Sequence, residues 1–330
     1  MKLKIFKLYF KTPCHFGERG LGLEKSSVIL HSDSIFNALI NAWAFLFGKE
    51  NLEKFLVEEY KEPSFLITSG FPFNKDDFYF PRIQWKFPAK EEVIEKNERK
   101  KLKKLEFIKK DLFEKWINEK EVEREKILEA LKDLDFIKED LIPKNQLSRI
   151  NSSSKQLYSL GVIKFKENSG IWFGIKEKKE GVIKNWILPG LKFLQDHGIG
   201  AKRTWGLGKF EFEEKEMEIK TPEKSEQFIT LSAVFPKESD LSSIKNTSWF
   251  RWYLITRGGY PVYSPFAERF SLRKPLIKMI GEGSILPKIE GNVLKIPENE
   301  EILRKIDFPH FVYYYGRGFL IPAKLKENYE

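Results

Sequence analysis

The chain carries one cysteine, Cys14, three methionines and four histidines in 330 residues. A single thiol excludes an intramolecular disulfide framework and any multi-cysteine zinc site, and it suits a reducing, cytoplasmic compartment. Long apolar runs are missing too. No stretch approaches the roughly 18 uninterrupted apolar residues of a membrane-spanning helix, so no membrane partner is expected. Residues 1–10 alternate Lys with apolar side chains instead of placing an apolar run behind a basic patch, and so lack signal-peptide form. Scarce Met and Cys beside abundant Lys and Glu is a balance that hyperthermophile proteins share. The elements G-x-S-x-G, H-E-x-x-H and paired cysteines are absent, and the acidic residues are mostly scattered among lysines as solvated pairs. Nothing here demands an enzyme, a cofactor or a metal.

What is plentiful is aromatic side chains and positive charge. With 29 Phe, 11 Tyr and 8 Trp the chain is no disordered polymer, and at this length two packed domains are expected over one core. A formal net charge of +10 favours a polyanionic partner without choosing among RNA, DNA and a membrane surface.

Lys2–Lys11 reads as a strand with Leu3, Ile5 and Lys7 on one face and Phe6, Leu8 and Phe10 on the other. A loop rich in glycine follows at His15–Gly22. Ser32, Asp33 and Ser34 supply N-cap side chains for a helix through Phe36, Leu39, Ile40, Trp43 and Phe47, stopping at Gly48. Strands are expected at Ser64–Thr68 and Phe78–Trp85, with Pro72, Pro81 and Pro88 arguing for edge or irregular positions. Between Lys90 and Lys126, 24 of 37 residues are charged, which predicts an exposed helical insertion. A second amphipathic helix is expected near Glu125–Phe136, with Ile127, Leu128, Leu131 and Leu134 on one stripe, and a flexible loop at Leu147–Lys155. Strands resume at Leu157–Phe165 and Gly170–Ile175, and a short helix runs from Pro189 to Gly198. A solvated strand, Lys209–Glu218, comes next, and the polar segment 221–226 is the linker. Beyond it the sequence predicts a strand at Phe228–Phe235, two strands around the turn Arg257-Gly-Gly259, and strand, glycine turn, strand across His310–Pro322. The order fits an α+β plan: two β-α-β-β-α-β units, 1–220 and 221–330, each a sheet covered on one face, the first carrying an insertion at about 88–160.

The segment Gly198-Ile-Gly-Ala-Lys-Arg-Thr-Trp-Gly-Leu-Gly208 holds four glycines with Lys202, Arg203 and Thr204. Glycines let backbone N–H groups approach a phosphate while Lys and Arg neutralise it and Thr donates a hydroxyl bond. The spacing is neither a Walker A loop nor a dinucleotide fingerprint, and an ordinary glycine-rich turn fits it as well. Trp205 either stacks on a base or anchors the loop. Arg257-Gly-Gly259 and Gly316-Arg317-Gly318 are weaker echoes. His15 and His31 sit where a general acid or base can act on a ribose 2′-hydroxyl, and a helix N-terminus at Ser32 can hold a phosphate.

Several segments in order resemble the RAMP superfamily of CRISPR proteins, in particular the type III-A effector subunit that caps the five-prime end of the guide RNA. They are His15-Phe-Gly-Glu18, Gly22-Leu-Glu24, His31 through Leu39, Lys104-Leu-Glu-Phe-Ile108 with Leu112-Phe113, and Asn151 through Tyr158. The glycine-rich loop, Ile255 through Tyr260, Arg273-Lys-Pro275 and Glu282-Gly-Ser284 complete the series. The resemblance implies two ferredoxin-like (RRM-like) domains, the second degenerate, and a non-catalytic role holding the repeat-derived handle of the crRNA. It implies contact with the large polymerase/cyclase-like subunit and the first backbone RAMP subunit, with target RNA met indirectly through the guide duplex. The insertion then corresponds to a thumb reaching toward that duplex. Related RAMP proteins cleave CRISPR transcripts with a histidine and no metal, which is the alternative activity; a DNA-binding or purely protein-binding module is the third. The candidate RNA-binding residues are His15, Gly17, Arg19, His31, Ser32, Arg149, Asn151, Gly198, Gly200, Lys202, Arg203, Thr204, Trp205, Gly206, Gly208, Arg257 and Gly258.

Overall fold

The computed structural model describes residues 1–17, 22–89, 94–132, 134–148, 150–259, 265–266, 274–305 and 310–326. The alternating N-terminal segment forms β1 (Lys2–Phe10), and α1 (Ser32–Lys61), β2 (Phe65–Ile67), β3 (Phe71–Asn74) and β4 (Asp77–Pro81) follow it. Then come α2 (Lys96–Lys104), β5 (Phe107–Lys109), α3 (Lys110–Ile117), α4 (Arg124–Ala130), and a hairpin of β6 (Ile137–Leu147) and β7 (Ser154–Phe165). β8 (Ser169–Glu177), α5 (Leu188–His197) and β9 (Phe210–Glu218) close the first domain.

β1 lies between β8 and β9, and β3, β4 and β5 continue beyond β8, every pairing antiparallel. β2 and β3 both pair with β8, at Phe65↔Glu177 and Phe71↔Trp172, so they are two segments of one broken strand. Read that way, the order β3-β8-β1-β9 with α1 and α5 as connections is the expected β-α-β-β-α-β plan. Pro72 pairs with Ile171 of β8 but lies just outside the β3–β4 pairing, which starts at Phe73↔Phe78, so it takes the edge or irregular position expected of it.

The sheet is covered on both faces, where one was expected. Phe6 and Leu8 join Phe173, Ile175 and the apolar faces of α1 and α5 on one side. Leu3 and Ile5 join Phe71, Phe73 and Trp172 on the other, together with Ile229, Leu231 and Ile321 from beyond the linker. Two-sided burial follows from the two apolar rows of β1, since successive side chains point to opposite faces. Lys7 is drawn under as well, its ammonium 4.5 Å from the Phe73 ring and bonded to the Lys75 carbonyl. The helix does break at the predicted Gly48, which takes φ 75°, but it resumes to Lys61 because Leu52 and Leu56 bury against the same core.

The insertion departs furthest from expectation. Its charge run predicts an exposed helix, yet Leu112, Phe113, Trp116 and Ile117 are buried, and β5 adds a strand to the main sheet. The i,i+4 spacing of four apolar residues makes α3 an amphipathic cover, and the charges occupy its outer side. Phe113 stacks on Phe80 at 4.5 Å. α4 ends at Ala130 instead of Phe136, with Ile127 buried but Leu128 45% exposed. The segment predicted as a loop from Leu147 to Lys155 is partly strand: the hairpin pairing runs from Ile137↔Phe165 to Leu147↔Ser154. Pro143 is tolerated because a two-stranded ribbon leaves one edge of β6 unpaired.

The segment 221–226 has neither helix nor strand. Beyond it come β10 (Gln227–Thr230), α6 (Glu238–Lys245), β11 (Leu254–Gly259), β12 (Lys274–Ile280) and β13 (Ile285–Leu286), then β14 (Gly291–Ile296), α7 (Glu300–Lys305), β15 (Val312–Arg317) and β16 (Leu320–Ala323). These strands form small antiparallel sheets, β13-β10-β16, β11-β12 and β14-β15. β10 is shorter than predicted. The expected Arg257-Gly-Gly259 turn is instead strand, paired Arg257↔Ile277 and Gly259↔Lys274. Among the described residues no helix is long and apolar enough to cross a membrane.

If α3 is core and not surface, Phe113→Ala should cost about 3–5 kcal/mol in denaturant unfolding, whereas an exposed aromatic would change stability by less than about 0.5 kcal/mol.

Candidate nucleic-acid interface

The glycine-rich loop begins where α5 ends. Gly198 takes φ 78° and its N–H still bonds the Leu194 carbonyl at 2.7 Å. Ile199 N–H donates to Gly208 O (2.9 Å), closing the neck, and Gly208 N–H donates to Pro13 O (2.9 Å). Gly208 has φ 77°, and a Cβ there would stand 2.1 Å from the Ile199 carbonyl oxygen, so only glycine closes the loop. At the tip Lys202 is left-handed and Arg203–Trp205 make one 3-10 turn, with Trp205 N–H on Lys202 O and Gly206 N–H on Arg203 O. Much of the backbone that the sequence offers as a phosphate cradle is therefore committed within the loop and to the segment after β1. Ala201, Thr204 and Trp205 are exposed at the tip, with Lys202 half-buried beside them. Arg203 turns inward, donating to Asn41 of α1 at 3.2 Å.

Trp205 is 42% exposed, and two ammonium groups approach its ring, Lys202 at 4.6 Å and Lys144 of β6 at 5.1 Å. Below it Leu207 packs with Leu160, Val162 and Ile142 of the hairpin. The ring thus joins loop to hairpin while keeping an open edge. His15 fastens the same junction. Its Nδ1 lies 2.6 Å from Gly161 O of β7, and its own carbonyl accepts from Ala201 N–H at 2.9 Å.

Seven of the predicted residues, His15, Gly17, His31, Gly200, Arg203, Arg257 and Gly258, line one cleft of about 530 Å³ between the loop and the second domain. That is within the size of ligand sites, roughly 300–1,000 Å³. Lys274 also lines it. Burial pushes its ammonium down to about 8, with Asp33 opposing and Arg257 assisting that shift. Asn151 lies apart, at the hairpin tip, accepting from Ser153 N–H and Oγ. Arg19 and Arg149 fall outside the described residues. The hairpin exposes Leu141, Leu147, Ile150 and Leu157, a feature the sequence reading missed, although the apolar residues among polar ones in 137–157 carry its signal.

The residues His31 to Ser34 do other work than predicted. The helix N-cap is His31, with no side-chain capping bond, and all four side chains bind polar groups of the second domain. His31 Nδ1–H donates to Glu282 Oε1 at 2.8 Å, and Ser69 Oγ donates to the same oxygen. Ala233 N–H donates to Ser32 Oγ (3.2 Å). Arg257 binds Asp33 through Nε at 3.1 Å to both oxygens, and donates to Ser34 Oγ at 2.9 Å. His31 lines the cleft only with the rest of its buried side chain: among the described residues its Nε2 has no partner and is itself sealed from solvent, which tells against the general-base role. Arg257 is likewise committed inside the seam. Glu282, which the sequence offered only within a weak motif, is the acceptor that orients His31.

Removing one member of a buried ion pair strands the other, so Arg257→Ala should cost about 3–5 kcal/mol in unfolding experiments, and adding Asp33→Ala to it should recover part of the loss. Burial raises the Glu282 carboxyl, but the His31 charge and the bonds from His31 and Ser69 outweigh it and hold it below its ordinary 4.5. A carboxylate held low stabilises above the unfolded-state value and loses that contribution as pH falls through its folded value. Thermal melts of the wild type should therefore steepen in their acid dependence below about pH 4.5 relative to Glu282→Gln.

Comparison with known proteins agrees with this architecture. Residues 7–211 match the RAMP superfamily and residues 223–323 the CRISPR Csm4 C-terminal domain. The chain is 29% identical over 92% of its length to a Csm4 protein of Thermococcus onnurineus, covering 94% of that relative. It is 28% identical to the Csm4 protein of Methanocaldococcus jannaschii, with full coverage of both. Among solved structures it resembles a chain of a Csm1-Csm4 cassette complexed with pppApA, with TM-score 0.66, 22% identity, and coverage of 99% of this chain and 100% of the other. A second resemblance is to a Csm3-Csm4 subcomplex of the type III-A CRISPR-Cas interference complex, at TM-score 0.63, 21% identity, and 98% and 100% coverage. The chain belongs to the RAMP superfamily, as a type III-A CRISPR subunit of the Csm4 type.

Proposed function

We propose that this subunit holds the five-prime repeat-derived handle of the crRNA in the cleft beneath the glycine-rich loop, without cleaving RNA. The observation that carries the reading is convergence: the loop, the segment after β1 and the second domain meet at one cleft whose charged side chains are mainly cations. Lys202 stands at the entrance as a phosphate contact, beside the partly open Trp205 ring. The hairpin, rooted on the loop through Leu207 and Trp205 and carrying the exposed Leu141, Leu147, Ile150 and Leu157, is the thumb that meets the guide–target duplex. The relatives were solved with Csm1 and with Csm3. On that basis this chain bridges the large polymerase/cyclase-like subunit to the backbone filament.

Replacing Lys202 and Arg203 by Ala should weaken binding of handle RNA and flatten its logarithmic salt dependence by about one to two units of slope, as loss of one or two phosphate contacts requires. An unchanged slope places the phosphates elsewhere. In the same preparation a repeat-containing RNA in EDTA should stay intact; cleavage that vanishes with His15→Ala would replace the holding role with transcript processing.

A further inference from the structure

We propose that His15 distinguishes RNA from DNA in this cleft, its Nε2 accepting the hydrogen of a ribose 2′-hydroxyl. The inference rests on the handle-binding reading above. The Gly161 carbonyl, 2.6 Å from Nδ1, can only accept, so Nδ1 carries a hydrogen. In the neutral ring that tautomer leaves Nε2 with a lone pair and no hydrogen. Among the described residues the hydrogen bond of this ring is the one through Nδ1, and Nε2, unlike that of His31, is not one of the polar atoms sealed from solvent, although His15 as a whole is 3% exposed. Nε2 faces the side of the cleft where Gly17 lies: a Cβ on Gly17 would stand 3.7 Å from it.

The chemistry around it makes this atom unusual. The other charged side chains fronting the cleft are the cations Arg203, Arg257 and Lys274, and Asp33, whose carboxylate is committed to Arg257. Cations suit phosphate oxygens. A ring nitrogen that carries no hydrogen repels them and accepts from a hydroxyl, and the 2′-hydroxyl is the group that RNA has and DNA lacks. The acceptor is also held in place. Gly161 O fixes the ring, and Cys14 pairs with Ile163 through both of its backbone groups. The His15 carbonyl takes the Ala201 N–H, and Phe16 N–H donates to Ser26 Oγ. Gly200, at φ 97°, packs so close that a Cβ would come 2.9 Å from the His15 carbonyl oxygen, so a side chain is excluded there.

The test uses the full chain with its partner subunits and a set of guides carrying one 2′-deoxy substitution at each handle position. One deoxy position should weaken wild-type binding roughly 2- to 10-fold, the value of one hydrogen bond, and the others should not. That penalty should vanish in His15→Ala and in His15→Asn. The Asn amide still donates to Gly161 O in place of Nδ1, so this variant keeps the junction folded while lacking the Nε2 acceptor. A penalty that survives in His15→Asn, or a wild type indifferent to every deoxy position, overturns the proposal. A wild type that fails to prefer the handle over unrelated RNA of equal length overturns the handle reading itself, which separates the two failures.

Discussion

The interaction on which the rest of the structure depends is the polar seam at the start of α1. His31, Ser32, Asp33 and Ser34 bind Glu282, Ala233 and Arg257 in succession across the domain boundary. Charges taken out of water must keep their partners, because an unpaired one costs far more than the pair contributes. Such a seam therefore tolerates very few arrangements of the two domains. Apolar contact alone, through Ile229, Leu231 and Ile321 against the main sheet, would be far less particular about angle.

The cleft is a by-product of that fixed angle. The glycine-rich loop belongs to the first domain and Arg257, Gly258 and Lys274 to the second, so their shared cavity exists only because α1 is pinned between them. Its electrostatics follow from the same packing. Arg257 is quenched by Asp33, Lys274 is pushed down to about 8 by burial, and Lys202 stands half-buried beside Trp205 at the loop tip. Burial has sorted the positive charges into structural and presented ones.

The junction of loop and hairpin adds a mechanical link. Trp205 touches Lys144, Leu207 packs with Ile142, Leu160 and Val162, and His15 bonds Gly161. Whatever occupies the loop is thereby tied to the root of an 11-residue strand and its 12-residue partner. Holding and reaching are built on one rigid base.

Local chemistry determined a good deal by itself. The alternation in β1, the helical spacing after Ser34, the break at Gly48 and the glycines around Lys202 to Trp205 each act within a few residues, so they are legible without a fold. So was the first domain's β-α-β-β-α-β order. What only the tertiary structure decided is partnership across long separations. His31 and Glu282 are 251 residues apart and Asp33 and Arg257 224, and no local pattern says that a Ser-Asp-Ser run will bind another domain instead of capping its own helix. The same limit hid the burial of α3, since a charge run describes one face of a helix and its partner in the core describes the other. Short-range propensity sets which elements form; desolvation of polar groups against distant partners sets which of them are left to meet a ligand.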